Sequence, residues 1–203
     1  PPVRDKTLYP DQVIPLAAGL CHLIVVIWGV SVVPELLDEF GVIALTGWIL
    51  SRGDVSATGG INVAHELIHR RGQAQRALGG LMLASVWYGG FKLEHPRWHH
   101  VHVATPNDPS SAAVGDTVYG QVPRALWLNM VQAWRLGRDD AAKRGRAWPL
   151  LMNAVSALTL VSVALTLAVG SLWGWVAALV LLLQGILAAA LLEVINYVEH
   201  YGL

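Results

Sequence analysis

Six of the eight histidines in this 203-residue chain fall into three groups: His65 and His69; His95, His99 and His100; and His200. His65 and His69 are four residues apart, which puts both imidazoles on one face of a helix about one turn apart. Asn62 and Glu66 join that stripe at three- and four-residue spacing. The surroundings are apolar, so these polar groups need a partner, and a metal ion is the obvious one. Glu193, Asn196, Tyr197 and His200 repeat the spacing of Asn62, His65, Glu66 and His69. Either stripe alone reads equally well as hydrogen-bonding glue between helices. Two matching stripes together with Glu94-His95-Pro96-Arg97-Trp98-His99-His100 favour a metal site. The residue types leave the metal open, since imidazole suits zinc, copper, iron and nickel alike. His65-Glu66-Leu67-Ile68-His69 matches the zinc-protease pattern, with Glu66 as general base. A catalytic zinc takes three protein ligands and keeps one position open. Six candidates are too many for that and about right for most of a two-metal site.

The elements that must position these groups are membrane helices. Hydrophobic residues make up 54% of the chain, charged residues 14%, and the mean hydropathy is +0.48. Ordinary soluble domains carry roughly 25% charged residues. The fold expected is all-α: an integral membrane helical bundle of about four transmembrane helices, a re-entrant or interfacial segment and an amphipathic helix. Net charge is zero, so nothing points to nucleic acid, and the single Cys21 excludes a disulfide framework and a cysteine metal site. No signal peptide is visible. Residues 1–12, with three prolines, read as a loop. Residues 13–33 form a first span, closed by Pro34 and the acidic Glu35, Asp38 and Glu39. A second runs from 41 to 68. Residues 77–91 are apolar but rich in glycine, so a re-entrant or interfacial segment is expected there. Residues 92–122 are polar. The 123–146 segment, with Leu126, Trp127, Met130 and Trp134 among basic residues, reads as an amphipathic helix at the interface. A third span covers 150–169, a tight turn 170–174, and a fourth span 175–197. Arg70, Arg71, Arg76, Lys92, Arg97, Arg124, Arg135, Arg138, Lys143, Arg144 and Arg146 all lie between the second and third spans. By the positive-inside rule that segment is cytoplasmic. Seven of the eight histidines then fall on the cytoplasmic side, and segments far apart in sequence converge on one membrane face.

Three strings carry a family resemblance: His65-Glu66-Leu67-Ile68-His69-Arg70, the run 94–112 that continues through Ala104-Thr105-Pro106-Asn107-Asp108-Pro109, and Asn196-Tyr197-Val198-Glu199-His200-Tyr201-Gly202. In this order and spacing, over roughly 55–203, the chain resembles the membrane alkane hydroxylases of the integral-membrane fatty-acid desaturase/hydroxylase superfamily. The xylene monooxygenase hydroxylase component is a close relative. The resemblance implies a non-haem di-iron centre, two iron ions held by histidines at the cytoplasmic ends of transmembrane helices of a bacterial inner membrane. It implies O2 activation with two electrons and insertion of one oxygen atom into a terminal C–H bond of an apolar hydrocarbon. The electrons would come from a rubredoxin or ferredoxin-type donor and its NAD(P)H reductase. Carried over residue by residue, the iron ligands are His65, His69, His95, His99, His100 and His200. Glu66, Glu94 and Glu199 adjoin ligands and are placed to orient imidazoles; Asn62 and Asp108 are weaker candidates for that role. The family also has a later HxxHH cluster and two further N-terminal helices, which nothing here matches. Residues 1–203 are therefore expected to be part of a single hydroxylase domain, inactive alone. Trp98 stands where the family usually has glycine, which would tighten packing beside the metals.

Other residues carry less. His102 reads as a surface or neighbouring residue rather than a ligand, and His22 as one member of an interhelical hydrogen bond. Trp28, Trp48 and Trp87 are candidates to line an apolar tunnel. Arg52 and Asp54 sit mid-way along the second span and are expected to face the bundle interior or a partner helix. The alternatives to an alkane hydroxylase are a desaturase or xylene-type hydroxylase of the same superfamily, an intramembrane zinc metalloprotease, and a non-catalytic protein using histidines for packing.

Overall fold

The structure, a computed structural model, describes residues 10–202. Most of the expected N-terminal loop lies outside the described residues; from Pro10 the chain is already helical. The elements are α1 (Pro10–Ser31), α2 (Val33–Val55), a π-helical turn (Ser56–Ile61), α3 (Asn62–His69), α4 (Gln73–Ser85), α5 (Phe91–Glu94), a second π-helical turn (His95–His99), α6 (His100–His102), α7 (Val118–Lys143), α8 (Ala154–Trp173) and α9 (Trp175–Glu199). Among the described residues, extended pairing is confined to one bridge between Ala112 and Tyr201. The protein is an all-α membrane bundle.

Among the described residues, three helical stretches are long and apolar enough to cross a membrane: Val13–Ser31, Ala154–Trp173 and Trp175–Glu199. The expected second span differs. Beyond Gly41 it is one helical run through the rest of α2, the π turn and α3, and its charges keep it outside that composition. Its first part also departs from expectation, because the acidic 34–40 segment is helical rather than a loop, with Pro34 in the first turn, where its missing N–H is no loss. The chain reverses at Gly41, whose φ of 72° and ψ of −169° suit only glycine. Beyond it α2 runs back along α1: the Trp48 indole N–H donates to the Gly29 carbonyl at 2.8 Å, and the Trp28 and Trp48 rings meet edge to face at 5.6 Å.

α4 packs back on α3, and the approach is close enough that a Cβ on Gly79 would stand 2.9 Å from the Ala64 carbonyl oxygen and 3.1 Å from Leu67 Cβ. Gly79→Ala is expected to destabilise the protein by about 1–3 kcal/mol, the usual cost of overpacking, seen as a lower thermal midpoint of the purified protein. After α4 the chain turns sharply at Trp87, a left-handed residue with φ 58°. The turn is pinned to α8, since Trp87 Nε1 donates to Thr166 Oγ1 at 3.0 Å and Ser162 Oγ donates to the Ala84 carbonyl at 2.7 Å. This hairpin occupies the stretch expected to be re-entrant or interfacial. α7 is amphipathic as expected: Gln121, Ala125, Asn129, Ala133, Gly137 and Ala141 line a buried stripe at four-residue spacing, while Trp127 and Met130 are exposed. Ala57, Ile61, Ala64, Leu67, Met82, Leu83, Ala188 and Leu192 make the apolar core beneath the histidines.

Candidate metal centre

His65 and His69 leave the last turns of α3 on one side, as their spacing requires. His95, His99 and His100 do the same for a reason the sequence hides. The π-helical turn closes with the His100 N–H on the His95 carbonyl, and a wider i→i+5 turn brings residues i, i+4 and i+5 together. As a result the ligand nitrogens of His65, His69, His95 and His100 all lie within 4.8 Å of one another. His95 Nε2 is 2.8 Å from His65 Nε2 and 3.0 Å from His100 Nε2.

The other two candidates form a second group. The His99 ring lies 5.1 Å from that of His200 and stacks on His95 at 5.0 Å. The Nδ1–H of His99 faces Asp108 Oδ2 at 3.0 Å, which fixes the tautomer and leaves Nε2 free as a ligand. Asp108 is itself held by Ser111 Oγ at 2.6 Å and by the Ser110 backbone N–H at 3.3 Å. Burial would raise the Asp108 carboxyl, but the hydrogen bonds from His99 and Ser111 outweigh it and hold it below the usual range. His200 is placed by backbone pairing: Ala112 N–H donates to the His200 carbonyl at 3.1 Å, and Gly202 N–H to the Ala112 carbonyl at 2.9 Å. Tyr197 Oη donates to the Asp116 carbonyl at 2.9 Å, and Tyr201 Oη accepts from Gly115 N–H at 3.0 Å.

Behind the imidazoles lies a buried polar network. Glu193, 1% exposed, accepts from Tyr88 Oη at 2.5 Å, Ser110 Oγ at 3.1 Å, and Asn129 and Asn196 Nδ2 at 3.2 Å each. It joins the hairpin, the 108–111 loop, α7 and α9 at one point. The α9 stripe therefore divides: Glu193 is interhelical glue, supported by Asn196 from within α9, and His200 alone reaches the site. Rings continue the connection, Tyr88 on Phe91 at 5.3 Å and Phe91 on His95 at 4.3 Å. Phe91, Tyr88 and Trp87 also wall an apolar cavity of about 240 Å³ with Met130, Trp134 and Val155. Trp28 and Trp48 pack on each other elsewhere, so of the three tryptophans only Trp87 borders this cavity.

The donor set fits a metal ion. Burial, then the neighbouring imidazoles, push His95 down to about 2, and burial lowers His100 in the same sense. The rings are held neutral with lone pairs converging, the state a metal requires. Glu94, 1% exposed, goes the other way: burial, then the Glu193 and Asp108 carboxylates, push it up to about 9. These shifts predict the pH dependence of the metal-free protein. His95 takes a proton in the unfolded chain but not in the folded one between its ordinary 6.5 and about 2, so stability falls as pH drops below 6.5. Glu94 keeps its proton only in the folded chain between 4.5 and about 9, so its contribution is whole below 4.5 and is lost as pH rises towards 9. Denaturation midpoints across pH should show a plateau near 4.5–6.5 with falling limbs on both sides, and Glu94→Gln should flatten the alkaline limb.

The remaining sequence candidates stand apart. Glu66 is exposed and paired with Arg70 at 2.5 Å; Asn62 donates to the Thr58 carbonyl at 3.0 Å. Both turn away from the imidazoles. Glu199 is exposed and 4.0 Å from His200 Nε2. His102 is tied to the Trp98 carbonyl at 2.9 Å and stacks on its ring at 4.1 Å. His22 does not make its expected hydrogen bond, as Nε2 has no partner among the described residues. Tyr88, Phe91, Ser110 and Ser111 were not singled out by sequence, although Asp108-Pro109-Ser110-Ser111 carries the signal of a side-chain-capped turn.

The family model described as fatty acid desaturase matches residues 40–203. The chain belongs to the fatty acid desaturase family. Within that family it is similar to alkane 1-monooxygenases, as its motifs implied. It is 46% identical to alkane 1-monooxygenase 1 of Pseudomonas aeruginosa over 82% of this chain and 44% of that protein. It is 40% identical to alkane 1-monooxygenase 2 of Alcanivorax borkumensis over the same shares. The xylene/toluene monooxygenase hydroxylase component of Pseudomonas putida is 30% identical over 98% of this chain and 52% of its own length. The chain thus spans less than half the length of the alkane 1-monooxygenases it matches, and all three histidine groups of this fatty acid desaturase family member lie within the matched 40–203.

Proposed function

We propose that the intact protein is a membrane-bound non-haem di-iron monooxygenase that hydroxylates a terminal C–H bond of alkanes or similar apolar chains. The observation that carries this reading is the convergence of six imidazoles as a group of four and a group of two. His65, His69, His95 and His100 would hold one iron, and His99 and His200 would contribute to the second. Bound iron supplies O2 activation with two electrons and insertion of one oxygen atom into the C–H bond, the other leaving as water. The chain's own residues prepare the site. Asp108 holds the His99 tautomer. Glu94 keeps a proton on its carboxyl at neutral pH in a place water does not reach. The Glu193 network fixes the loop, the hairpin and α9 relative to one another, and Phe91 presents an apolar wall to His95.

The electron donor is of rubredoxin or ferredoxin type, with its NAD(P)H reductase. It would reach the site from the cytoplasmic face of a bacterial inner membrane, where the basic residues between α3 and α8 lie. The names of the relatives support an alkane or alkyl-aromatic substrate. The zinc-protease reading loses its general base, because Glu66 is turned to Arg70. The test is turnover of an n-alkane series by the intact protein in membranes under 18O2 with a supplied donor. Primary alcohol carrying one 18O is expected; alcohol labelled only from water, or an alkene product, would count against the reading.

A further inference from the structure

We propose that the cavity between the end of α7 and the start of α8 holds one anionic phospholipid, with its phosphate on Arg144 and Arg146 and an acyl chain along Leu151, Met152 and Leu160. All five residues line this cavity of about 590 Å³. Local sequence shapes it. Gly145, at φ 66°, closes α7: its N–H donates to the Ala142 carbonyl at 2.9 Å, and the Arg146 N–H donates to the Ala141 carbonyl at 3.0 Å. That is the glycine-dependent stop of a helix, and it sets the two arginines on either side of Gly145. Asn153 then starts α8 by accepting from the Val155 and Ser156 N–H groups at 2.9 and 3.0 Å. α7 comes so close that a Cβ on Gly137 would stand 2.7 Å from Asn153 Oδ1. The two helix ends are locked together with the cavity between them.

Charge and position commit the occupant to a lipid. Among the described residues, neither the Arg144 nor the Arg146 side chain makes an ion pair or a hydrogen bond. The carboxylate that lines the cavity, Asp140, is already taken, because Arg97 donates to both its oxygens at 2.6 and 3.0 Å. The hydrogen bond from Arg97, with the charges of Arg97, Arg144 and Lys143 behind it, holds that carboxyl below its usual range. The two guanidinium forks remain, and they match a phosphate. The rest of the cavity is apolar and lies where the bilayer begins. Leu160 is about 9 Å along the axis of α8 from its start, and α8 is apolar and long enough to cross a membrane. Leu151, Met152 and Leu160 are exposed, as are Trp148 and Leu150 just before α8, a composition that anchors chains at headgroup level. A soluble phosphate would use the arginines and leave the apolar wall bare; an alkane would do the reverse. A ligand that uses both has an anionic head and an apolar chain, and basic pockets at the ends of membrane helices take such heads.

The test is native mass spectrometry of the intact protein in a neutral detergent, with dioleoylphosphatidylglycerol and dioleoylphosphatidylcholine supplied in equal amounts. One phosphatidylglycerol retained per chain is expected, preferred about 30-fold, since each arginine at a lipid surface contributes about fivefold. Arg144→Gln with Arg146→Gln should abolish the preference; both residues are exposed, so the fold should persist. Arg135→Gln with Arg138→Gln removes the same charge from α7 outside the cavity and should leave the preference intact. Ala157→Trp fills the apolar part and should lower retention with both arginines in place. Equal retention of the two lipids would overturn the proposal, including the case in which another segment of the intact chain fills the cavity. So would a preference that survives loss of Arg144 and Arg146, one lost equally in the α7 control, or displacement of the lipid by equimolar inorganic phosphate or oleate.

Discussion

Replacing His95 by alanine is expected to reduce hydroxylation by the intact protein more than about 100-fold, beyond the 10–100-fold typical of groups that only orient a ligand. His95 is the member of the four-histidine group that meets the most partners. Its Nε2 lies within 3.0 Å of both His65 and His100, and its ring is stacked between Phe91 and His99. Truncation removes a proposed ligand and also the wall against which the second group is set. The expected signature is loss of metal from the four-histidine group, measured on purified protein. Stability separates this from simple unfolding: in the metal-free state His95→Ala should weaken the acid-side loss below pH 6.5, because the buried ring that resists protonation is gone.

Asp108→Asn is the second large effect, expected at 10–100-fold in activity or metal affinity. The carboxylate of Asp108 accepts from His99 Nδ1, Ser111 Oγ and the Ser110 N–H. The amide preserves the shape and one acceptor, so the loop should persist. What it loses is the charge that holds His99 with Nδ1 protonated and Nε2 free. The measurement is metal content together with kcat on a short alkane. A variant that folds, keeps both metals and turns over normally would show that Asp108 is only a loop staple.

The contrast between these two residues shows what sequence could and could not carry. The six histidines were legible because their types and spacings are local, and so were the apolar runs of α1, α8 and α9. The division into four and two was not, because it depends on a π-helical turn at His95–His99 that no periodicity in five residues announces. Glu66 looked like a partner of His65 and His69 from spacing alone. In the folded chain it pairs with Arg70, since at the rim of α3 a surface ion pair competes for it. Glu193 was read in a stripe with His200, but a buried carboxylate needs acceptor satisfaction first, and Tyr88, Ser110, Asn129 and Asn196 reach it from segments up to 105 residues away. Gly41 decides the path of α2, and its positive φ is invisible beside Pro34 and the acids that mark the end of the first span. Arg52 was recognisable as costly in a membrane helix; only packing on Gly29 shows that it points inward.

Six imidazoles converge as a group of four and a group of two, the arrangement proposed to hold two metals. The most direct measurement is the metal content of the intact protein, purified after growth with iron and zinc both supplied, paired with iron Mössbauer spectroscopy. Two irons per chain in a coupled, histidine-rich environment is the result predicted, falling in His95→Ala. A single zinc per chain with no iron, unaffected by replacing His99 or His200, would contradict it.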